Sequence, residues 1–280
     1  MTRRRIRIAG AATGLAGLIA GVCGSPALAA CEFALQGNGH VSSVLDTRTF
    51  RLSDGRDVRL AGIEIVADDA DRGKTTLAAL IAGHDITLHG PDDTPDRYGR
   101  QQAFVALKEL ATPIQFELLT RGEAMASTTV SDKACSGALL EAEAAARAAR
   151  RGIWAGSAAL KNAERPDDIL ARRGRFSVVE GTVSSARLAG ATFYVNFGRR
   201  WTRDFAVTIS KRMTPSIEAA GIDLKSLKDK RVRVRGWIEK RGGPRIEVSH
   251  VGQIELIAAA KAVLDDDLAE KRIVPGNESK

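Results

Sequence analysis

The sequence predicts a mainly β chain with helices (α+β). A five-stranded barrel of the OB type, capped by helices, is followed by a second small β-barrel. Three observations predict it. Short segments with period-two alternation recur over residues 41–63 and 176–256. Helical stretches are inserted at 71–82 and follow at 114–121 and 138–151. The composition is that of an ordinary globular chain, 280 residues with 44% hydrophobic and 27% charged. Collagen, a coiled-coil rod and a wholly disordered chain are thereby excluded, and the length suits two domains at roughly 150 residues each.

Residues 1–30 read as a signal peptide. Arg3, Arg4, Arg5 and Arg7 precede an apolar run over 8–22, and Ala27, Leu28 and Ala29 supply small residues at cleavage spacing. The run falls short of the roughly 20 apolar residues of a membrane span, although an uncleaved N-terminal anchor would begin the same way. The expectation is an exported protein, periplasmic or secreted, with no transmembrane domain once the leader is removed. Leu28, Ala29, Ala30 and Cys31 also resemble a lipobox, in which Cys31 would carry a lipid anchor to the envelope. The competing use of Cys31 is a disulfide with Cys135. Cys23 leaves with the leader, and an even pair in an oxidising compartment normally bridges.

In the mature chain, 41–45, 49–52 and 58–63 read as a β-meander, with Ser53, Asp54, Gly55 and Arg56 as a turn. Residues 71–82 place Leu77, Leu80 and Ile81 on one helical face, with Gly83 as the stop. Strands follow at 86–88 and 103–107, divided by a Pro- and Asp-rich loop over 90–101. A helix over 114–121 ends at Gly122, and an Ala-, Glu- and Arg-rich helix over 138–151 ends at Gly152, with Trp154 placed to pack back on the core. Five strands with these helices make a small OB-type barrel with a helical cap. Polar residues around 162–166 read as a linker. Strands over 176–183, 192–197, 205–209, 231–239, 245–248 and 253–256 form the second barrel, with a short helix at 215–220 and a hairpin turn at Gly242, Gly243 and Pro244. The domains are therefore 1–30 (leader), 31–165, 166–257, and a helical or disordered tail over 258–280.

The charge divides unevenly. Residues 31–165 carry 16 basic and 19 acidic side chains, whereas 166–257 carry 18 basic and 10 acidic. A basic module suggests a polyanionic partner.

An ordered set of landmarks resembles the thermonuclease (staphylococcal nuclease-like) family. Val44, Leu45 and Asp46 lead into residues 49–52, then Asp54 and Gly55, then Val58, Arg59 and Leu60. Asp96, Arg97, Tyr98, Gly99 and Arg100 follow, and the helix before Gly152, Ile153 and Trp154 completes the set. The resemblance covers residues 38–156 and implies an OB-type barrel and calcium-dependent phosphodiester cleavage. In that chemistry carboxylates hold the metal, a carboxylate takes the proton of water, and two arginines neutralise the phosphate.

Carried over residue by residue, the phosphate-binding arginines fall on Arg59 and Arg100, and the first acidic position falls on Asp46. The first calcium carboxylate falls on Arg48. The second falls on Glu64, and the adjacent carbonyl position on Ile65. The base falls on Ala67, which accepts no proton. Asp68 and Asp69 stand one and two residues on and could substitute after a loop shift. The resemblance therefore implies a nuclease fold with its metal site dismantled, with no metal or cofactor expected unless such a rearrangement restores calcium. Read as structure alone, Arg59 could instead pair with Glu64 or Asp46, and Asp96 with Arg100 could simply fix their own loop. His40, His84, His89 and His250 show no metal-ligand spacing.

The second module resembles the C-terminal β-rich extension of exported bacterial members of that family. Arg199, Arg200 and Arg203 flank Trp201, and Arg231, Arg233 and Arg235 alternate, so that the three project from one face of one strand together with Trp237. An arginine row beside aromatics suits single-stranded nucleic acid. A face paired with the acidic first module is the alternative, and an anionic envelope polymer is another target. Three functions stay open: a non-catalytic binder of nucleic acid or another anionic polymer, a calcium-dependent nuclease with a rearranged site, and an envelope scaffold that docks an acidic protein.

Overall fold

The computed structural model describes residues 31–66, 70–108, 112–156 and 159–257. The expected leader (1–30) and tail (258–280) lie outside the described residues.

Strands β1 (Leu35–Val44), β2 (Thr49–Leu52) and β3 (Asp57–Leu60) form the meander; the strand expected over 58–63 breaks at Gly62, whose φ is 75°, and β4 (Ile63–Glu64) leaves the barrel for a separate two-stranded sheet. Helix α1 (Ala70–Ile81) leads to β5 (Asp85–His89) and β6 (Arg100–Leu107). The five long strands close in the order β1-β2-β3-β6-β5. Closure works because β1 is ten residues long and pairs with β2 on one side and β5 on the other. Phe50, Leu52, Val58, Leu60, Ile86 and Leu88 fill the interior and are at most 1% exposed, the inward half of the alternation that predicted the strands.

Helix α2 (Ile114–Arg121) follows Pro113 and stops at Gly122, whose φ of 72° is the left-handed conformation of a helix C-cap. Strand β7 (Met125–Ala126) pairs with β4. Helix α3 (Lys133–Ala148) begins five residues before the expected start, because the Asp132 side chain accepts the Cys135 N–H at 2.8 Å and caps it.

Cys135, in the first turn of α3, is bonded to Cys31 with Cα atoms 4.5 Å apart, the disulfide use of Cys31. The bridge spans 104 residues, and closing a loop of that length constrains the unfolded chain by about 4–5 kcal/mol on the chain-entropy estimate. Reduction, or the Cys31→Ser/Cys135→Ser pair, is expected to lower the unfolding free energy by about 2–5 kcal/mol. Urea melts with and without reductant check this, and an unchanged midpoint would contradict it.

The second module is two sheets around one core. Strands β8 (Leu160–Asn162), β9 (Phe176–Thr182), β13 (Arg231–Trp237) and β16 (Ile254–Leu256) make a four-stranded sheet in the order β16-β13-β9-β8. Strands β10 (Ser185–Ala189), β11 (Thr192–Asn196), β12 (Ala206–Ser210), β14 (Glu239–Arg241) and β15 (Gly243–Val248) make a five-stranded sheet in the order β10-β11-β12-β15-β14. The two sheets enclose Val179, Val195, Phe205, Val207, Ile209, Val232, Val234 and Ile246. The chain passes between the sheets at Ile238, where β13 ends and β14 begins. Helices α4 (Pro166–Leu170) and α5 (Thr214–Glu218) each add one buried residue, Ile169 and Ile217, to this core. The stretch around 162–166 is not a free linker: β8 pairs in parallel with β9, and Pro166 opens α4.

The modules share packing. Val66, Met125, Ala146 and Trp154 of the first cluster with Phe176 and Val178 of the second, so Trp154 packs inward, into a core common to both modules. Among the described residues no helix is long and apolar enough to cross a membrane.

Candidate functional site

The bend between β1 and β2 carries Asp46 and Arg48. Asp46 Oδ1 accepts the Arg48 N–H at 2.8 Å, and the Arg48 carbonyl accepts from Leu60 N at 2.8 Å, which fixes the bend against β3. The Arg48 side chain turns inward. Its Nη1 donates to the Ile63 carbonyl at 2.7 Å and stands 2.7 Å from Glu64 Oε1, with the two side chains only 8% and 14% exposed. Burial pushes the Glu64 carboxyl above its usual range, against the pull of the Arg48 guanidinium. The carboxylate that the family resemblance assigned to calcium is therefore held by the guanidinium that replaces the other ligand.

These residues do not fit a calcium ion. A hard dication needs several converging oxygens, and a guanidinium in contact with Glu64, the retained carboxylate of the two calcium-ligand positions, repels it. At ~4 Å and an effective dielectric near 20, a unit charge contributes about 4 kcal/mol per unit of metal charge. Among the described residues no three His, Cys, Asp or Glu side chains converge as a metal site. Ala67, Asp68 and Asp69 lie outside the described residues.

The two retained arginines share a barrel face. Register places Arg59 opposite Thr49 on β2 and opposite Gln102 on β6, and Asp57 opposite Arg100. Asp57 is forked by Arg51 at 2.7 and 3.1 Å. Arg100 donates to Asp96 Oδ2 from Nε at 3.0 Å and from Nη2 at 2.7 Å, while Asp96 Oδ1 accepts from Tyr98 N and Arg100 N. The hydrogen bonds from Arg100 hold the Asp96 carboxyl below its usual range. The loop-fixing role read for Asp96 and Arg100 is thus present. Tyr98 is 66% exposed, with the Arg97 and Arg100 guanidinium carbons 4.8 and 4.9 Å from its ring centre. Arg59 is half-buried and pairs with neither Glu64 nor Asp46; among the described residues its guanidinium has no hydrogen-bond or ion-pair partner. One free guanidinium on a barrel face that also carries a second, held in a fork, can bind an oxyanion.

The arginine row of β13 is a correction. Arg233 stands directly opposite Glu180 on β9 and Glu255 on β16, and bonds to both, at 2.8 and 3.1 Å. Arg231 reaches the other Glu180 oxygen at 3.1 Å and keeps 61% of its side chain exposed. Arg235 is wholly buried. It contacts Glu143 of α3 at 2.7 and 3.1 Å, donates to the Ala126 carbonyl at 3.1 Å, and also pairs with Glu255. Glu143 in turn accepts from Ala126 N and pairs with Arg147. Arg233 and Arg235 are therefore not a surface for nucleic acid. The face they share is covered, Arg235 by the first module itself, which is the alternative of pairing with acidic partners. Glu143, Glu180 and Glu255 were not singled out in the sequence, and only their register against β13 or their contact with Arg235 reveals them. Arg199, Arg200 and Arg203 remain exposed.

A model of the staphylococcal nuclease homologue family matches residues 58–156. The match includes Arg59, Glu64 and Arg100 and begins after Asp46 and Arg48. No curated protein matches the chain. The barrel strands from β3 onward, with the three helices that cap them, are the part of the chain that is similar to staphylococcal nuclease homologues, over residues 58–156.

Proposed function

We propose that this is an exported, thermonuclease-like protein that does not cleave, and that it binds nucleic acid or another anionic polymer. The Arg48–Glu64 pair supports this most directly, because it places an internal cation against the carboxylate that cleavage would need for a metal. Arg59, with Arg100 on the same barrel face, supplies the phosphate contact. The exposed basic residues of the second module add long-range attraction. No cofactor is needed for this function. Export, to the periplasm or beyond, rests on the leader sequence.

Binding of an oligonucleotide to the mature chain, followed by fluorescence anisotropy between about 50 and 200 mM salt, tests the proposal. Affinity is expected to fall steeply with salt as counterions are released. Arg59→Ala is expected to weaken binding about tenfold and to reduce the salt slope by about one. Affinity indifferent to both salt and Arg59→Ala would contradict the proposal.

A further inference from the structure

The loop between β11 and β12 is a closed turn. Asp204 Oδ2 accepts from Arg200 N at 2.7 Å, and the Arg200 carbonyl accepts from Arg203 N at 2.9 Å and Asp204 N at 2.7 Å. Trp201 sits at its apex, 75% exposed. Beneath lies the β14–β15 turn, where Gly242 has φ +78° and a Cβ would stand 3.2 Å from the Trp201 carbonyl and 3.7 Å from its Cε3. A Cβ on Gly243 would come within 2.4 Å of the Asp204 carbonyl. Two glycines thus let the loop lie on the hairpin, with the indole braced against backbone and most of its surface open.

Basic residues flank this indole in the sequence and on the strand entering the hairpin turn beneath it. Arg199 and Arg200 are exposed, and among the described residues their guanidinium groups make no ion pair. Among the described residues Arg203 is held by a single exposed contact of 3.3 Å to Asp167. Lys240 and Arg241 are exposed on the strand that enters the same turn, Arg241 lying 3.8 Å from Glu239. The β13 row, by contrast, is engaged by carboxylates.

We infer that Trp201 is a stacking platform for an unpaired base, and that Arg199, Arg200 and Arg203 hold the flanking phosphates, so that the polymer bound is single-stranded nucleic acid. The inference rests on the polyanion reading above and narrows it. A duplex hides its base faces, and an anionic glycan has no π face to offer. A base stacked on an aromatic side chain needs no particular sequence, because every base presents such a face.

The full mature chain is titrated with a 20-nucleotide deoxythymidine oligomer, a DNA duplex of the same length and heparin, following tryptophan emission and affinity. The oligomer is expected to quench emission, and Trp237→Phe is expected to keep that quenching. Trp201→Ala is expected to weaken oligomer binding about 5- to 100-fold while changing duplex and heparin affinity less than twofold. Trp201→Phe is expected to retain most of the affinity. Unaltered oligomer affinity in Trp201→Ala, with duplex and heparin still bound in a salt-sensitive way, overturns the platform and leaves the polyanion reading standing. No binding of any of the three polymers overturns both. A blue shift of Trp201 emission on phosphatidylglycerol vesicles, without response to the oligomer, also overturns the platform and assigns the loop to a lipid surface.

Discussion

Arg235→Ala is expected to lower the unfolding free energy by about 3–5 kcal/mol. The guanidinium is fully buried and satisfies three groups at once: Glu143, itself 0% exposed, Glu255, and the Ala126 carbonyl. Its removal leaves carboxylate charge in a site with little water, and desolvation of an unpaired charge outweighs any gain from the space released. Glu143 keeps Arg147 and the Ala126 N–H, so the charge is eased but not balanced. Arg235→Met combined with Glu143→Gln is expected to recover much of the loss, because it removes cation and anion together. Urea denaturation of both variants checks this, and a loss under about 1 kcal/mol for Arg235→Ala would show that the network contributes little. The same geometry makes the two modules one cooperative unit. They share an apolar cluster as well as this ion network, so a single unfolding transition is expected for the unmodified chain.

Arg48→Ala is expected to cost about 3 kcal/mol at pH 8, the low end for a buried pair because both side chains keep some solvent contact. The cost is expected to shrink toward pH 5. Glu64 already has a folded-state value above its unfolded one, through burial, and loss of the guanidinium raises it further. The folded chain then binds a proton that the unfolded chain has released. Stability therefore falls as pH rises from the unfolded value, about 4.3, through the raised folded one. Arg48→Ala/Glu64→Gln is expected to flatten that dependence. Melts at pH 5 and pH 8 decide it, and a cost equal at both would contradict the assignment of the effect to Glu64.

The sequence displayed those parts of the fold that follow from local chemistry. Helix α2 runs over 114–121 as expected, since Pro113 before it and a left-handed Gly122 after it leave no other bounds. Strand β2 follows from alternation over 49–52, whereas the strand expected over 58–63 ends as β3 at Leu60, because Gly62 turns the chain in the left-handed region. The start of α3 is less legible than its body, because its opening residues include Cys135, Ser136 and Gly137, poor helix formers, and are held by the Asp132 cap. Strand β8 has three residues, and β10 has no buried position, so neither carries an inward period. Of the candidate site, the replacement at Arg48 was visible as a charge in the wrong place. That it pairs with Glu64 was not, because the contact joins the β1–β2 bend to β4. The arginines of β13 show the limit of periodicity most plainly. Alternation places Arg231, Arg233 and Arg235 on one face, correctly, but what lies opposite depends on the register of β9 and β16 and on α3 from the other module.

Incubation of the purified mature chain with single-stranded DNA and calcium, with and without EDTA, tests the loss of the metal site most directly. The expected result is an intact oligonucleotide in both samples, retained by the protein at low salt and released at high salt. Cleavage that EDTA stops, and that Arg100→Ala abolishes, would contradict it.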